Sequence, residues 1–333
     1  MRAVVSAAPA YAALARRELD AVLPTGSDLA ELCPGVWLLS APGRFADRSE
    51  EMGRTVFVRH CCPVSGEVAI QDSPETFVDD LLPVAHRCLR GVASGIQVQV
   101  RLLADAPAWA PGPLATRIRA ALAPAGVVAV GGPAEHVLSV VVGAAGGFVG
   151  ASPVQDNLSP WPGGEARLRR EPEEISRSAR KLEEALLLFG VAPVPGGRAV
   201  DLGASPGGYT ALLLKRGMQV VAVDTGDLSP RLAGAPGLTF LRGPAHGVPL
   251  PEGLFDLITA DLSWDPLRAA ECAIRFRPLL APGADGIFTI KFFGGDPLGI
   301  VARVRRRLED GYHVLAVRHL FHDRDEATAH LRA

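Results

Sequence analysis

Apolar residues recur with two different periods in the second half of the chain. Short apolar runs, typical of strands buried on both faces, are followed by segments in which apolar residues return every three or four positions, as in helices. Strands are predicted at 198–202, 219–223, 238–241, 255–260 and 286–292, and helices at 176–189, 209–216, 267–279 and 298–308. A closing hairpin, 312–321 with 327–331, makes the last strand antiparallel to the others. The alternation predicts an α/β domain with a doubly wound sheet.

The first half of the chain contains shorter elements, which indicate smaller α+β units. The first unit is predicted to hold strands at 3–5, 36–40 and 55–59 and an amphipathic helix at 10–23, with Glu18 among its outward charges. The second unit begins with a helix that a Ser73 cap opens and that reaches residue 88. Its other predicted elements are an alternating strand at 96–103, a helix at 113–122, strands at 127–130 and 137–142, and a short edge strand at 148–150.

Composition marks the boundaries between these units. We predict a small α+β domain at 1–66, a second domain at 67–155, a linker at 156–174 and the doubly wound domain at 175–333. The linker is rich in Pro, Gly and Arg, and it contains Trp161 as a stacking face. Two roles remain open for this linker: it contacts RNA, or it only connects the two domains. The helix after it is predicted to begin with Ser176 or Ser178 as N-cap.

Composition and charge narrow the class of protein. The net charge of −2 gives no global field that draws the chain onto nucleic acid, so RNA binding requires local basic patches. Five cysteines without C-x-x-C spacing and no secretory signal predict a reducing cytoplasm. No apolar run reaches the ~18 residues of a membrane span. The adjacent residues His60, Cys61 and Cys62 lack metal-ligand spacing, so we predict core thiols and no metal site.

A Gly- and Pro-rich loop, D-x-G-x-S-P-G-G-Y, follows the strand at 198–202. Glycines at such a turn let the backbone approach a ligand and leave free amides at a helix N-terminus. Asp224 ends the next strand, where nucleotide-binding α/β units place the carboxylate that binds ribose hydroxyls. The loop lacks the dinucleotide fingerprint G-x-G-x-x-G, which makes a dehydrogenase the least favoured class. The predicted cofactor-binding residues are Asp201, Gly203, Ser205, Pro206, Gly207, Gly208, Tyr209, Asp224 and Asp261.

Three charged residues lie at the ends of predicted strands. Asp261 follows the strand at 255–260, Lys291 follows the apolar run 287–290, and Glu326 begins the final strand. Ligands of open parallel sheets bind outside the carboxyl ends of the strands. The final strand runs in the opposite direction, so its first residue lies at that same edge. We therefore expect all three side chains around one crevice.

The loop and these charges together resemble the FtsJ-like ribose 2'-O-methyltransferases, which use S-adenosylmethionine (SAM). The loop is similar to their motif I, and the order of Lys181, Asp261, Lys291 and Glu326 matches their catalytic tetrad. The phrases S-P-W-P, S-R-S-x-x-K-L-E-E-A and H-D-R-x-E-x-T-x-H-L-R resemble RlmM-type members, which methylate a cytidine ribose in large-subunit ribosomal RNA. The resemblance is strong over 157–333. It implies a Rossmann-like class I methyltransferase sheet, SAM as cofactor and RNA as partner.

The resemblance also implies a role for each tetrad residue. A lysine acts as a base only as the neutral amine, which burial and a neighbouring cation favour. Lys291 is therefore predicted to be the general base that deprotonates the ribose 2'-hydroxyl. Lys181 would favour the neutral amine of Lys291 and hold the substrate. Asp261 would orient the two lysines, and Glu326 would position Lys181 or the ribose.

Two departures from related sequences qualify this interpretation. Family members usually carry an acidic residue after the third strand to bind the adenine amino group, but 242–247 contain no carboxylate. Backbone groups would take that role, or cofactor affinity would be weak. The segment after Asp261 also lacks the N-P-P-Y of base-methylating enzymes, which argues against methylation of an amino group.

The element order of 67–155 resembles a THUMP domain, an RNA-binding module of RNA-modifying enzymes. Local phrases such as V-Q-V-R at 98–101 and G-F-V-G at 147–150 carry this resemblance. Arg101, Arg117 and Arg119 are candidate phosphate contacts, with plain solvated surface as the alternative for each. A dimerisation or lid domain of α+β type is the alternative.

The favoured function is a SAM-dependent RNA ribose 2'-O-methyltransferase. One alternative is a small-molecule methyltransferase, against which the basic linker and the THUMP-like half count. The other is a non-catalytic RNA-binding or ribosome-assembly protein with a degenerate SAM site. The missing adenine-side acid favours that alternative, and the intact tetrad opposes it.

Overall fold

The computed structural model describes residues 1–92, 95–130, 132, 134–249 and 252–333. The chain divides into two compact units, Met1–Glu165 and Ala166–Ala333. Over the described ranges the first unit forms two sheets and the second forms one seven-stranded sheet. Within those same ranges, every helix is too short or too polar to traverse a bilayer. The division into four segments stays a prediction.

The first sheet of the first unit is antiparallel and has the order β2-β3-β1-β4. Its strands are β1 (Arg2–Ala7), β2 (Asp28–Cys33), β3 (Val36–Ser40) and β4 (Val58–Pro63), and the helices are α1 (Ala12–Val22) and α2 (Phe45–Met52). The sequence patterns did not reveal β2 and α2. The bounds predicted for the strand at 55–59 are wrong, because β4 runs from Val58 to Pro63. The backbone amides of Val56 and Phe57 donate to the Glu18 carboxylate at 2.7 and 2.8 Å, so these residues are held by α1 rather than by a strand ladder.

The second sheet of the first unit has the order β5-β9-β8-β6-β7. Its strands are β5 (Gly66–Val68), β6 (Ile96–Leu102), β7 (Ala129–Val130), β8 (His136–Gly143) and β9 (Gly146–Pro153), with helices α3 (Pro74–Cys88) and α4 (Pro111–Leu122). The Ser73 cap is confirmed, since its hydroxyl accepts from the Thr76 amide at 3.2 Å. The edge position predicted for 148–150 is wrong, because β9 lies between β5 and β8.

The segment that follows β9 packs on the same unit. The Gln99 side chain donates to the Pro160 carbonyl at 2.7 Å. A Cβ on Gly163, whose φ is +66°, would overlap the Arg101 side chain. Arg101 also lies 3.5 Å from the Glu165 carboxylate and is only 16% exposed. Its guanidinium is therefore engaged inside the unit rather than presented to phosphates as predicted.

The seven-stranded sheet of the second unit confirms the predicted α/β class. Its order is β12-β11-β10-β13-β14-β16-β15. The strands are β10 (Arg198–Leu202), β11 (Gln219–Asp224), β12 (Leu238–Arg242), β13 (Phe255–Ala260), β14 (Leu280–Lys291), β15 (His313–Arg318) and β16 (Glu326–Arg332). Strands β10 to β14 pair in parallel, and β16 is antiparallel to both of its neighbours. The carboxyl ends of the parallel strands and the start of β16 therefore share one edge.

Over the described part of this unit, four helices cover the sheet: α5 (Ser178–Phe189), α6 (Gly208–Lys215), α7 (Pro266–Phe276) and α8 (Pro297–Leu308). Leu182 and Leu186 of α5 belong to one buried cluster with Tyr209 and Leu213 of α6. The predicted serine N-cap of α5 is wrong, since Arg177 occupies that position without a side-chain bond. The Ser176 and Ser178 hydroxyls instead bond to each other at 2.5 Å.

Candidate active site

Four charged side chains form a closed ring at the carboxyl edge of the sheet. The Lys181 ammonium lies 2.7 Å from Asp261 Oδ2 and 3.0 Å from Glu326 Oε1. The Lys291 ammonium lies 2.7 Å from Asp261 Oδ1 and also contacts Glu326 Oε2. Each lysine thus touches both carboxylates, and each carboxylate touches both lysines. We call this arrangement the charged ring.

Strand register explains how distant residues meet in the charged ring. Lys291 ends β14 and lies directly opposite Glu326, the first residue of β16, in their antiparallel ladder. Asp261 follows β13, and its amide donates to the Leu202 carbonyl at the end of β10. Lys181 lies in the first turn of α5. This helix packs on α6, and its first turn lies at the same edge. The sheet supplies three members and the helix supplies the fourth.

The charged ring is electrically balanced and largely removed from water. Burial by itself would lower the pKa of the Lys181 ammonium, but the carboxylates of Asp261 and Glu326 outweigh it and raise that pKa. Burial would raise the pKa of Asp261, yet the two ammonium groups overcome it and lower that pKa. Both residues are therefore held in their charged forms. The Lys181 side chain is 5% exposed and that of Lys291 is 18% exposed, so Lys291 is the more accessible lysine.

A cavity of about 290 Å³ opens beside the charged ring at the ends of β10, β11, β12 and β13. Asp224 lies in its wall, and its carboxylate accepts from the amides of Ser205 and Gly226 at 2.9 and 2.7 Å. Asp261 belongs to both the cavity and the charged ring. The lining residues are Gly203, Ser205, Val223, Asp224, Thr225, Gly243, Pro244, Ala245, Asp261, Leu262, Ser263 and Trp264.

The cavity suits a nucleoside cofactor. A Cβ at Gly203, whose φ is +77°, would overlap the Asp261 carbonyl, so only glycine fits between the loop and β13. Each oxygen of Asp224 retains a lone pair for a ribose hydroxyl after binding one amide. The acidic members of the lining are Asp224 and Asp261, and neither follows β12. On that side Pro244 and Trp264 provide apolar surface. The residues present therefore fit SAM, whose ribose Asp224 would hold.

The structure separates the predicted cofactor residues into two groups. Four of them line the cavity: Gly203, Ser205, Asp224 and Asp261. The others lie behind it: Asp201 in β10, Pro206 and Gly207 in the loop, and Gly208 and Tyr209 at the start of α6. A Cβ on Gly208 would overlap the Ser176 and Ser178 hydroxyls, so this glycine permits close packing of α5 on α6. The buried ring of Tyr209 lies 5.7 Å from the Lys181 ammonium.

Asp201 is fully buried and braces the loop from inside the sheet. Its two carboxylate oxygens accept from the hydroxyls of Thr210 on α6 and Thr259 on β13, at 2.7 and 2.8 Å. Burial raises the pKa of Asp201 to about 6, against these two bonds, which lower it. The side chain thus joins β10, α6 and β13 at the point where the loop begins.

Glu184 is a further anchor that the sequence motifs did not single out. It is 2% exposed, and its carboxylate accepts from the Phe321 amide at 2.7 Å and from the His322 amide at 2.9 Å. The His322 ring lies 2.7 Å from the same carboxylate. Glu184 lies one helical turn after Lys181. This i, i+3 spacing places both side chains on one face of the helix, and it was the signal in the sequence that could have identified Glu184. It ties α5 to the segment that leads into Glu326.

We expect Glu184→Gln to loosen that segment. The amide NH₂ of glutamine cannot accept from a backbone N–H, so one buried donor loses its partner and the free energy of unfolding falls by about 1–3 kcal/mol. Hydrogen exchange at the amides of Phe321 and His322 should accelerate. Glu183→Gln is the matched control, because that side chain is 31% exposed and pairs with Arg216 at 3.2 Å. Equal stability of the two variants would contradict the anchoring role.

Asp323 makes the stability of this region depend on pH. Burial raises its pKa to about 8, although the nearby Lys181 lowers it, and the carboxyl bonds to the Leu320 amide and the Thr328 hydroxyl. The folded state therefore holds a proton that the unfolded state releases above the ordinary value of 3.8. The resulting stabilisation is complete below about pH 4 and is lost as pH rises through about 8.

We accordingly expect the wild-type free energy of unfolding to fall between pH 5 and 8 by on the order of 1 kcal/mol per pH unit. Asp323→Asn mimics the neutral carboxyl and should flatten this dependence. Urea unfolding of both proteins at several pH values measures the difference. Parallel pH profiles would show that Asp323 does not hold the proton.

Comparison with known proteins agrees with this geometry. Residues 175–312 match the model of the FtsJ-like methyltransferase family. Three curated relatives are called ribosomal RNA large subunit methyltransferase M. The Methylococcus capsulatus protein is 35% identical over 191 residues, which cover 53% of this chain and 52% of the relative. The Halorhodospira halophila protein is 38% identical over 180 residues, with coverages of 52% and 51%.

The third relative, from Edwardsiella ictaluri, is 34% identical over 216 residues, which cover 60% of this chain and 55% of the relative. The chain thus spans about half the length of the curated relatives it matches. The resemblance that the loop and the four charged residues indicated is confirmed: residues 175–312 are similar in sequence to the FtsJ-like methyltransferase family.

Proposed function

We propose that the chain is a SAM-dependent RNA ribose 2'-O-methyltransferase that acts on a cytidine of large-subunit ribosomal RNA. The observation that carries the proposal is the charged ring beside a cavity that fits SAM, with Asp261 shared by both. The printed names of the relatives, which are large-subunit ribosomal RNA methyltransferases, support the substrate.

In the proposed mechanism Lys291 first releases its own proton to water. The neutral amine then accepts the proton of the ribose 2'-hydroxyl as that oxygen forms its bond to the methyl carbon. SAM, when bound, would supply the electrophilic methyl group and leave as S-adenosylhomocysteine. Lys291 is proposed because it is more exposed than Lys181 and ends β14 at the carboxyl edge of the sheet. Lys181 keeps its proton, since its pKa is raised, and it holds the Asp261 and Glu326 carboxylates in place. General base catalysis of this kind contributes roughly 10²–10⁴-fold to the rate, and alignment of the reactants adds to it.

The use of lysine in this chain supports that choice. The sequence contains only three lysines, Lys181, Lys215 and Lys291, and two of them form the charged ring. Arginine supplies nearly all other cations. A guanidinium stays protonated at any physiological pH, whereas an ammonium can release its proton and act as a base. The residue at the proposed site of proton transfer is thus a lysine and not an arginine.

The remaining features are proposed from the same reasoning. Residues 67–155 would form a THUMP-like RNA-binding domain, after a small domain at 1–66 and before a linker at 156–174 and the methyltransferase domain at 175–333. Arg117 is a candidate phosphate contact, because its side chain is 51% exposed, although it pairs with Glu75 at 2.6 Å. A substrate of this kind places the protein in the cytoplasm.

Methyl transfer to RNA tests the proposal directly. Labelled SAM is incubated with the full chain and with large-subunit ribosomal RNA transcribed in vitro, which carries no modification. The expected product is an alkali-resistant dinucleotide that contains a 2'-O-methyl group. Binding of RNA without transfer of label would support the non-catalytic alternative, and transfer to a nucleobase would contradict the ribose assignment.

A further inference from the structure

Phe293 is an exposed aromatic residue close to the charged ring in sequence. Its relative exposure is 58%, and among the residues that the structure describes it is the only Phe, Tyr or Trp that is largely exposed. It lies two residues after Lys291, the last residue of β14. Single exposed apolar side chains are common on protein surfaces, so exposure alone indicates nothing. The position beside the charged ring and the anchoring of the turn are what distinguish Phe293.

The chain on both sides of Phe293 is fixed. The Phe292 amide donates to the Asp325 carbonyl at 2.8 Å, which extends the pairing of β14 with the segment before Glu326. The Gly294 amide donates to the Phe292 carbonyl at 2.9 Å, so Phe293 lies at the tip of a tight turn. Asp296 then caps α8 through the Gly299 amide at 3.1 Å. The turn that carries Phe293 is thus held between a strand end and a helix start.

Two glycines complete this turn for a conformational reason. Gly294 and Gly295 have φ values of +70° and +83°, which favour glycine, and no atom lies within 4 Å of a Cβ built on either residue. The sequence K-F-F-G-G-D therefore specifies a turn that exposes an aromatic ring to solvent near the carboxyl edge of the sheet.

We propose that Phe293 stacks on the nucleobase of the RNA nucleotide whose ribose is presented to Lys291. This inference rests on the proposed function and adds the residue that would hold the base. An enzyme that modifies one ribose within RNA must hold that nucleotide in place, and unstacked bases are held on aromatic side chains in single-stranded RNA recognition. The ring of Phe293 offers a π-face but no polar group, so it contributes affinity and placement without reading base identity.

Substitutions at Phe293 distinguish stacking on an aromatic ring from an apolar contact that any hydrophobic side chain would make. We measure kcat/KM for methyl transfer to in vitro transcribed large-subunit ribosomal RNA, together with RNA binding in the presence of S-adenosylhomocysteine. Phe293→Ala should lower kcat/KM by roughly 5- to 150-fold and weaken RNA binding. Phe293→Leu keeps an apolar side chain without a π-face and should behave like Phe293→Ala. Phe293→Trp should stay within about threefold of wild type, since indole stacks equally well.

The controls separate this inference from the proposed function. S-adenosylhomocysteine affinity should be the same in all Phe293 variants, because Phe293 is not part of the cavity lining. Leu315→Ala removes an apolar side chain that is 51% exposed on β15, and it should leave kcat/KM unchanged. Wild-type activity in Phe293→Ala, or in Phe293→Leu, overturns stacking and leaves the proposed function intact. A wild-type protein that transfers no methyl group to RNA overturns both.

Discussion

Lys291→Arg is expected to reduce kcat for methyl transfer to RNA by about two to four orders of magnitude. The guanidinium keeps the positive charge that balances Asp261 and Glu326, so the charged ring stays neutral overall. It cannot accept a proton at any accessible pH, so the general base is lost while the charge is retained. Single-turnover methyl transfer with saturating SAM measures the chemical step.

Lys215→Arg is the matched control for this substitution. Lys215 lies on α6 with a side chain 63% exposed, and the only ion pair that the structure shows for it within its described residues, to Glu171, is 3.5 Å long. Full activity is expected in this variant. S-adenosylhomocysteine affinity and the unfolding midpoint should match wild type in both variants. Activity within tenfold of wild type in Lys291→Arg would exclude Lys291 as the base.

Asp261→Asn is expected to lower both stability and activity, because Asp261 contacts both lysines of the charged ring. Removal of its charge leaves two nearby ammonium groups with Glu326 as their shared carboxylate. Loss of one partner from a buried ion pair costs on the order of 3 kcal/mol. Urea unfolding should show this loss, and methyl transfer should fall at the same time because both lysines lose their orientation.

An exposed ion pair provides the comparison for Asp261→Asn. Glu309 pairs with Arg305 at 3.0 Å, with both side chains 48% exposed, and Glu309→Gln should change the free energy of unfolding by less than about 1 kcal/mol. Similar stability losses in the two variants would show that the charged ring behaves as an ordinary surface network. A stable but inactive Asp261→Asn protein would indicate that orientation of the lysines outweighs charge balance.

The sequence predicted most of the second unit because its elements have strong local patterns. Buried strands such as β13 produce short apolar runs, and β13 was predicted with the bounds that the structure shows. The first unit was predicted less completely. Strand β2, with the sequence D-L-A-E-L-C, has one buried residue among mostly accessible ones, so its pattern carries little signal. The start of β4 depended on Glu18, which lies on another element.

The residues of the candidate site likewise fall into those that the sequence could predict and those that it could not. Residues at strand ends could be assigned to one edge because the direction of each strand follows from the connection before it. The roles of Asp201 and Glu184 could not be assigned, since each binds partners on other elements. Glu184 meets the His322 amide across 138 residues of sequence, and no local period reports such a contact.

The sequence by itself determined the class of sheet, the Gly-rich loop at its first turn and the three strand-end charges that belong to one edge, because each follows from the local pattern of a strand and its direction. Only the tertiary structure decided that the charges close into a ring, since Lys181 and Glu326 are 145 positions apart. The tertiary structure also decided which of the predicted cofactor residues line the cavity and which pack behind the loop. Those outcomes depend on how α5, α6 and the strands pack, which is a property of the folded chain as a whole.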